Sequence, residues 1–355
     1  MLGIDRRAVR YVWTAATVIL LLCLIYLVRR TLLVFILSLL FAYLLSPLVN
    51  LLDRILPTNR TRTIALALSY IIFIGVVVVV GIQIGSRVVA EATALAKQLP
   101  SIIATQETLG PGTPPAVNSL KSQLLARART EIARRSGDLV TLLAQTGLRF
   151  ITVAGDLIYV VIIPIVAFFF LKDASLFRQH ILDLVDEGPR RELLNEVMTD
   201  IDLLLAHYMR ALVLLSLATF TAYSIFFAIT GVRYGILLAA LASALEFIPM
   251  LGPFTAGVTI LVVAGVGGAR VLTVLIFLLA YRLFQDYILS PHVMGQGVEL
   301  HPALVLFGVF AGAEVAGIAG AFLSVPVLAL IRILYIRIRK TRLSARLEPA
   351  PVVTR

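Results

Sequence analysis

Long apolar runs, separated by short polar breaks, dominate this chain. Residues 11–28 and 31–49 are apolar, with only Arg29 and Arg30 between them, so the pattern predicts a tight helical hairpin. Further runs cover 63–85, 151–171, 208–230, 271–289 and 303–335. Each is close to or beyond the about 20 residues a helix needs to cross a bilayer. The run at 235–267 is longer than a span should be. As one straight helix it would extend about 50 Å, against a hydrocarbon core of about 30 Å. Pro249-Met250-Leu251-Gly252-Pro253 interrupts it, and two prolines and a glycine in five residues break a helix. The pattern therefore predicts a discontinuous or re-entrant segment, which is tolerated where protein or a water-filled cavity satisfies the freed backbone. The fold class that follows is all-α: a polytopic membrane protein of about eight spans with a broken sixth.

The divisions are residues 1–85 (spans one to three), 86–150 (extracytoplasmic and amphipathic), 151–171 (span four), 172–207 (a cytoplasmic amphipathic hairpin), 208–335 (spans five to eight, broken at 235–267) and 336–355 (a basic tail). Segment 86–150 carries a turn-forming stretch at 109–115. After it, Leu120, Leu124, Leu125 and Ile132 mark one face of a basic helix. In 172–207, Gly188-Pro189 ends one helix and begins the next. Arg6, Arg7 and Arg10 precede the first run, but a second run follows two residues after it, so the first reads as a retained span rather than a cleaved signal.

Composition strengthens this picture. Of 355 residues 60% are hydrophobic and 14% charged, and mean hydropathy is +0.98. A soluble chain is roughly 45–50% apolar and about 25% charged. The net charge of +11 marks orientation rather than a nucleic-acid partner, because no recognition motif accompanies it. With eight crossings and a cytoplasmic N-terminus, short inner segments hold 17 Lys and Arg and short outer loops hold 3. That bias predicts both termini in the cytoplasm of a bacterial inner-membrane protein. The single cysteine, Cys23, excludes an intramolecular disulfide.

Enzyme chemistry finds no foothold. There is no phosphate-binding Gly-x-x-x-x-Gly-Lys loop, no His-Glu-x-x-His and no Gly-x-Ser-x-Gly. No cofactor or metal is expected. Ionisable residues inside apolar runs are costly and so are functional candidates. They are Asp156, Arg210, Glu246, Arg282, Asp286 and Glu314. Glu246 lies three residues before Pro249, and with Pro249, Gly252 and Pro253 it forms the first candidate solute or ion site. Arg282 and Asp286 are four apart on one helix face, which predicts an ion pair. Asp286 and Glu314 are further candidates for lining a path. Glu314 is surrounded by Gly308, Gly312, Gly317 and Gly320, whose spacing predicts close helix packing.

Three stretches together resemble the autoinducer-2 exporter family of bacterial membrane proteins. They are Phe41 to Val49, Gly231 to Gly235 leading into Glu246 to Pro253, and Leu289 to Gly295 followed by Leu300-His301-Pro302 and the glycine-rich run to Pro326. Phe170-Leu171-Lys172-Asp173 adds to the likeness. The resemblance implies a transporter in the lipid bilayer and a homo-oligomer, with a pentamer as one arrangement. It also implies a small polar solute moved outward, the furanone-type quorum signal being one candidate. Sodium or lithium exchange for protons is the alternative, and a non-transporting scaffold the third reading. Met250 stands where the family often has tyrosine.

Overall fold

The computed structural model describes residues 6–56, 61–105, 157–266, 271–294 and 300–347. Among these every regular element is helical. In chain order they are α1 (Arg6–Leu27), α2 (Arg29–Ile55), α3 (Thr61–Thr105), α4 (Leu157–Lys172), α5 (Ala174–Asp183), α6 (Pro189–Thr230), α7 (Gly235–Leu245), α8 (Leu251–Val266), α9 (Val271–Phe284), a π-helical turn (Gln285–Leu289), α10 (Ser290–Met294) and α11 (Pro302–Leu347). Six helical stretches among the described residues are long and apolar enough to cross a bilayer. The protein is therefore a polytopic all-α membrane protein. Asp156 and the basic helix expected after residue 115 lie outside the described residues.

The boundaries follow from local chemistry. Pro189 opens α6 where a missing N–H costs nothing. Gly231 closes it with φ +67°, and the Val232 amide bonds back to Phe227 O at 3.1 Å. Only a residue free to adopt that left-handed turn ends a helix this abruptly.

The first two runs do not form the expected hairpin. Only Val28 leaves helical geometry between α1 and α2, at φ −93° and ψ 9°. Helical bonds continue on both sides of it, Val28 N to Leu24 O and Leu32 N to Val28 O, each 3.0 Å. The chain bends there rather than reversing, and residues 10–27 are exposed along their whole length. Arg29 instead stacks its guanidinium on Tyr26, 4.3 Å from the ring centre. Nor does the third run end at residue 85, since α3 continues to Thr105.

Three cores organise the bundle. α2, α3 and α4 pack around Ala42, Leu45, Val49, Ala65, Leu66 and Ala167. α6 to α9 pack around Phe227, Leu238, Ala242, Ile260, Val274 and Tyr281. α6 and α9 run antiparallel: Phe226 stacks on Phe277 at 3.8 Å, while Thr219 meets the Tyr281 hydroxyl at 3.0 Å.

That direction fixes how the sixth run travels. α7 begins beside the end of α6, with Gly235 against Phe227, and α8 ends beside the start of α9, with Gly265 against Val271. The broken run thus enters and leaves at one end of the bundle. It is a re-entrant hairpin and does not cross.

The eighth run was expected to be one span, and the structure corrects this too. α11 is interrupted at Ala316 (φ −142°) and Gly317 (φ +60°). A side chain added at Gly312 would meet Gly320 O at 2.3 Å, and one at Gly308 would meet Leu328 at 2.6 Å. The two limbs therefore lie antiparallel and touch through their glycines. The second limb reaches the start of α6, where Arg337 pairs with Asp200 at 2.7 Å and with Glu196. The two hairpins enter from opposite ends of the bundle. Neither adds a crossing: the first is the re-entrant segment the sequence predicts, though not one of eight crossings, and the second replaces an expected span, so the two changes to the count cancel. The basic tail stays at the end of the bundle that single crossings would have given it.

The hairpins meet partway along the bundle. Phe247, at the tip of the first, lies 6.1 Å from Phe322 in the second. Both join a third core with Leu40, Leu205, Tyr208 and Leu323. A polar knot fastens the start of α6 nearby. Arg178 on α5 reaches Asp202 at 3.0 Å and Thr199 at 2.6 Å, and Tyr43 on α2 donates to Asp202.

Candidate functional site

α7 stops because the sequence removes its means to continue. Pro249 supplies no N–H, and Met250 adopts φ +62°, rare outside glycine. The turn satisfies itself: Ile248 N bonds Leu245 O at 2.9 Å and Gly252 N bonds Ile248 O at 3.0 Å. Gly252 is required on space alone, because a Cβ there would lie 1.8 Å from Leu245 O. Pro253 falls in the first turn of α8, where its missing N–H is harmless. Pro249, Gly252 and Pro253 thus build the reversal, and Glu246 is the charged side chain it carries.

Glu246 is 9% exposed at the end of α7. Its Oε1 accepts a hydrogen bond from the Gln285 amide. Its Oε2 accepts from Thr219 at 3.4 Å, a long bond. The Thr219 hydroxyl is 3.0 Å from that of Tyr281. Since Thr219 spends its single proton on Glu246, Tyr281 is the donor to Thr219 in this arrangement. The result is a buried chain from Tyr281 through Thr219 to Glu246. Arg282 Nη1 stands 4.0 Å from Glu246 Oε1, and its Nε is 2.8 Å from Asp286 Oδ2. The ion pair predicted from the spacing of Arg282 and Asp286 is present, and it brings a cation up to Glu246 as well. One turn away, the Ser216 hydroxyl contacts Ser243 Oγ at 2.8 Å and Ser243 O at 2.9 Å, holding α7 against α6.

Three elements therefore converge: α6 gives Thr219, the first hairpin gives Glu246, and α9 with its π-turn gives Tyr281, Arg282, Gln285 and Asp286. The π-turn widens the helix at Gln285, a distortion frequent at functional sites. The cluster can exchange hydrogen bonds with a polar ligand through hydroxyl, amide, carboxylate and guanidinium groups.

The other candidates are placed differently. Asp286 is exposed beyond Arg282. Glu314 is exposed on the first limb of the second hairpin, two residues before its turn, and is not among the groups bonded to Glu246. Arg210 is exposed and donates to Ala206 O at 3.2 Å, within its own helix. Gly308, Gly312 and Gly320 face the opposite limb of their own hairpin. An open cavity of about 500 Å³ lies at the α5–α6 elbow between Leu182, Pro189, Arg191 and Asn195, and shares no residue with the Glu246 cluster. Sequence reading singled out Glu246 and Arg282 but passed over Thr219 and Tyr281. The trace they leave is faint: Ser216 and Thr219 are three apart, and Tyr281 and Gln285 four apart, on otherwise apolar helices.

Residues 16–340 match the model of the AI-2E family transporters. A Bacillus subtilis protein named "Putative transport protein YueF" is 24% identical over 318 residues, covering 86% of this chain and 84% of the relative. "Putative transport protein YrrI" from the same organism is 29% identical over 181 residues, 51% of each chain. "Putative transport protein MT0215" of Mycobacterium tuberculosis is 36% identical over 126 residues, 34% of each.

Proposed function

Since this chain belongs to the AI-2E transporter family, we propose that it moves a small polar solute outward across the bacterial inner membrane, binding it at the junction of the two hairpins. The observation that carries the proposal is the buried Glu246, presented at a helix reversal and ringed by Thr219, Tyr281, Gln285 and Arg282. A carboxylate kept inside an apolar bundle costs free energy unless it is paired, and such residues mark solute or ion pathways. Here the pairing uses groups that can be exchanged one for one with solute hydroxyls.

The cluster suits a hydroxylated solute, a class that includes the furanone-type quorum signal. Arg282 argues against a bare cation as cargo, because a guanidinium already stands at Glu246 where sodium or lithium would bind. Two opposed hairpins meeting beside the site give it a gate on each side, the first opening toward the α6–α7 end and the second toward the α11 tail. The basic C-terminal tail lies in the cytoplasm on this reading, and the protein assembles as a homo-oligomer.

The test is a flux panel in proteoliposomes with the hydroxyfuranone signal, sodium, lithium and protons. We expect flux of the hydroxylated solute, reduced at least about tenfold by Glu246→Gln, equivalent to about 1.4 kcal/mol, with particle size and folded yield unchanged. Solute flux unaltered by Glu246→Gln would remove the site. Cation-driven collapse of an imposed proton gradient, without solute flux, would replace this reading with antiport. Absence of any flux would favour a scaffold.

A further inference from the structure

A second carboxylate lies at the root of the hairpin that carries Glu246. α7 starts at Gly235 after Tyr234, whose backbone is left-handed at φ +61°, and Tyr234 gives the helix no side-chain cap. The amide of Leu237, in the first turn, donates instead to Glu91 Oε2 at 2.8 Å. Glu91 lies on α3, 146 residues away in sequence. A carboxylate there satisfies a free amide and sits at the positive end of the helix dipole. Leu95, one turn further along α3, is buried in the same core as Leu238, Ala239 and Ala242 of α7. α3 therefore grips the root of the hairpin whose tip carries Glu246.

We infer that Glu91 is a positioning residue for the solute site: it fixes the root of α7 against α3 and so sets where the hairpin tip delivers Glu246 to Thr219 and Gln285. This role deepens the solute-site reading and rests on it. The lever arm is short. Eleven helical residues span about 16 Å, so a pivot of about 10° at the root moves the tip by about 3 Å. That exceeds what the 3.4 Å bond from Thr219 to Glu246 can absorb. Glu91 needs no contact with solute to alter its binding.

The experiment measures the tip directly. In a Cys23→Ser background, spin labels at Val89→Cys on α3 and Met250→Cys at the tip, both exposed, report their separation by pulsed electron resonance in lipid nanodiscs. With Glu91→Ala the distance distribution should shift or broaden by about 3 Å, the displacement expected for that pivot. Glu91→Gln, which keeps an acceptor for the Leu237 amide, should restore most of the original distribution. Gln also serves if the alanine variant folds poorly. The result that overturns the inference is an unchanged distribution in a folded Glu91→Ala protein. Solute flux is measured in parallel. A shifted tip with a raised KM and rescue by Gln supports both readings. A shifted tip with unaltered flux upholds the positioning role and counts against the solute site.

Discussion

Gly252 and Gly257 lie five residues apart on one helix and should respond oppositely to the same substitution. At Gly252 an added Cβ would stand 1.8 Å from Leu245 O, whereas at Gly257 it would meet nothing within 4 Å. Real Cβ atoms keep at least 3.0 Å from such neighbours, so Gly252→Ala must part α8 from the end of α7 by about 1.2 Å. The obstacle is backbone, so no side-chain rotation relieves it. Overpacking of this kind costs about 1–3 kcal/mol. Leu245 is the residue before Glu246, so the displacement falls on the site itself. The bond from Thr219, already 3.4 Å, would not survive it. Gly257→Ala, by contrast, removes a flexible residue from a helix interior and should gain up to about 1 kcal/mol. Thermal unfolding in detergent compares the pair, and solute flux in proteoliposomes reads the site. Gly252→Ala should lower the melting temperature and cut flux at least about tenfold, the loss also expected of Glu246→Gln, while Gly257→Ala matches or exceeds the parent in both. Equal behaviour of the two variants would refute the claim that the reversal is set by close backbone approach.

Two further outcomes follow from the remaining architecture. Gly317→Ala forces a side chain onto φ +60° and ψ −140° and should cost about 1–3 kcal/mol, seen as a lower melting temperature; an unchanged value would mean that the second hairpin turns elsewhere. Tyr43→Phe removes the donor of the bond between α2 and α6, and Asp202→Ala removes its acceptor together with the partner of Arg178. Tyr43→Phe should destabilise by about 1 kcal/mol, Asp202→Ala by more because it also frees Arg178, and the double variant should be no worse than Asp202→Ala alone, because the Tyr43 bond is lost in both. Additive losses in denaturant unfolding would show that the two side chains act independently.

The first hairpin was legible in the sequence because its breakers are chemical: two prolines and a glycine cannot continue a helix. The second was not, because its reversal is made by Ala316 and Gly317, and neither residue forbids a helix. Pro326, which looks like a stronger breaker, sits inside helix. The glycines at 308, 312 and 320 do mark a close helix contact, but spacing alone does not say that the partner is the same segment folded back. The bend at Val28 hid for a related reason. Arg29 and Arg30 resemble the polar tip of a hairpin, yet arginine is a good helix former and the helical bonds run on past it. In the site, the charges stood out against an apolar background, whereas the hydroxyls of Thr219 and Tyr281 are mild enough to pass as core. Glu91 was missed for the same reason in reverse, since it lies in a segment where a charge looks ordinary.

The charge balance of the cluster bears on what it can carry. Glu246 and Asp286 share Arg282, so with all three ionised the group has one net negative charge in a largely apolar bundle. A cation entering would have to displace the guanidinium from Glu246, and Arg282 could then lean fully on Asp286, to which its bond is already the shorter. A neutral hydroxylated solute needs no such rearrangement. One of its hydroxyls can insert between Gln285 and Glu246, accepting from the amide and donating to the carboxylate, and another can insert likewise between Tyr281 and Thr219, so these four groups stay paired. Because an unpaired buried polar group costs about 1–3 kcal/mol, the exchange that orphans none is the easier to repeat on every transport cycle. On the proposed solute-site reading, neutral polar cargo is therefore expected to pass more readily than a bare ion, and the flux of sodium against that of a polyol through the same vesicles decides between them.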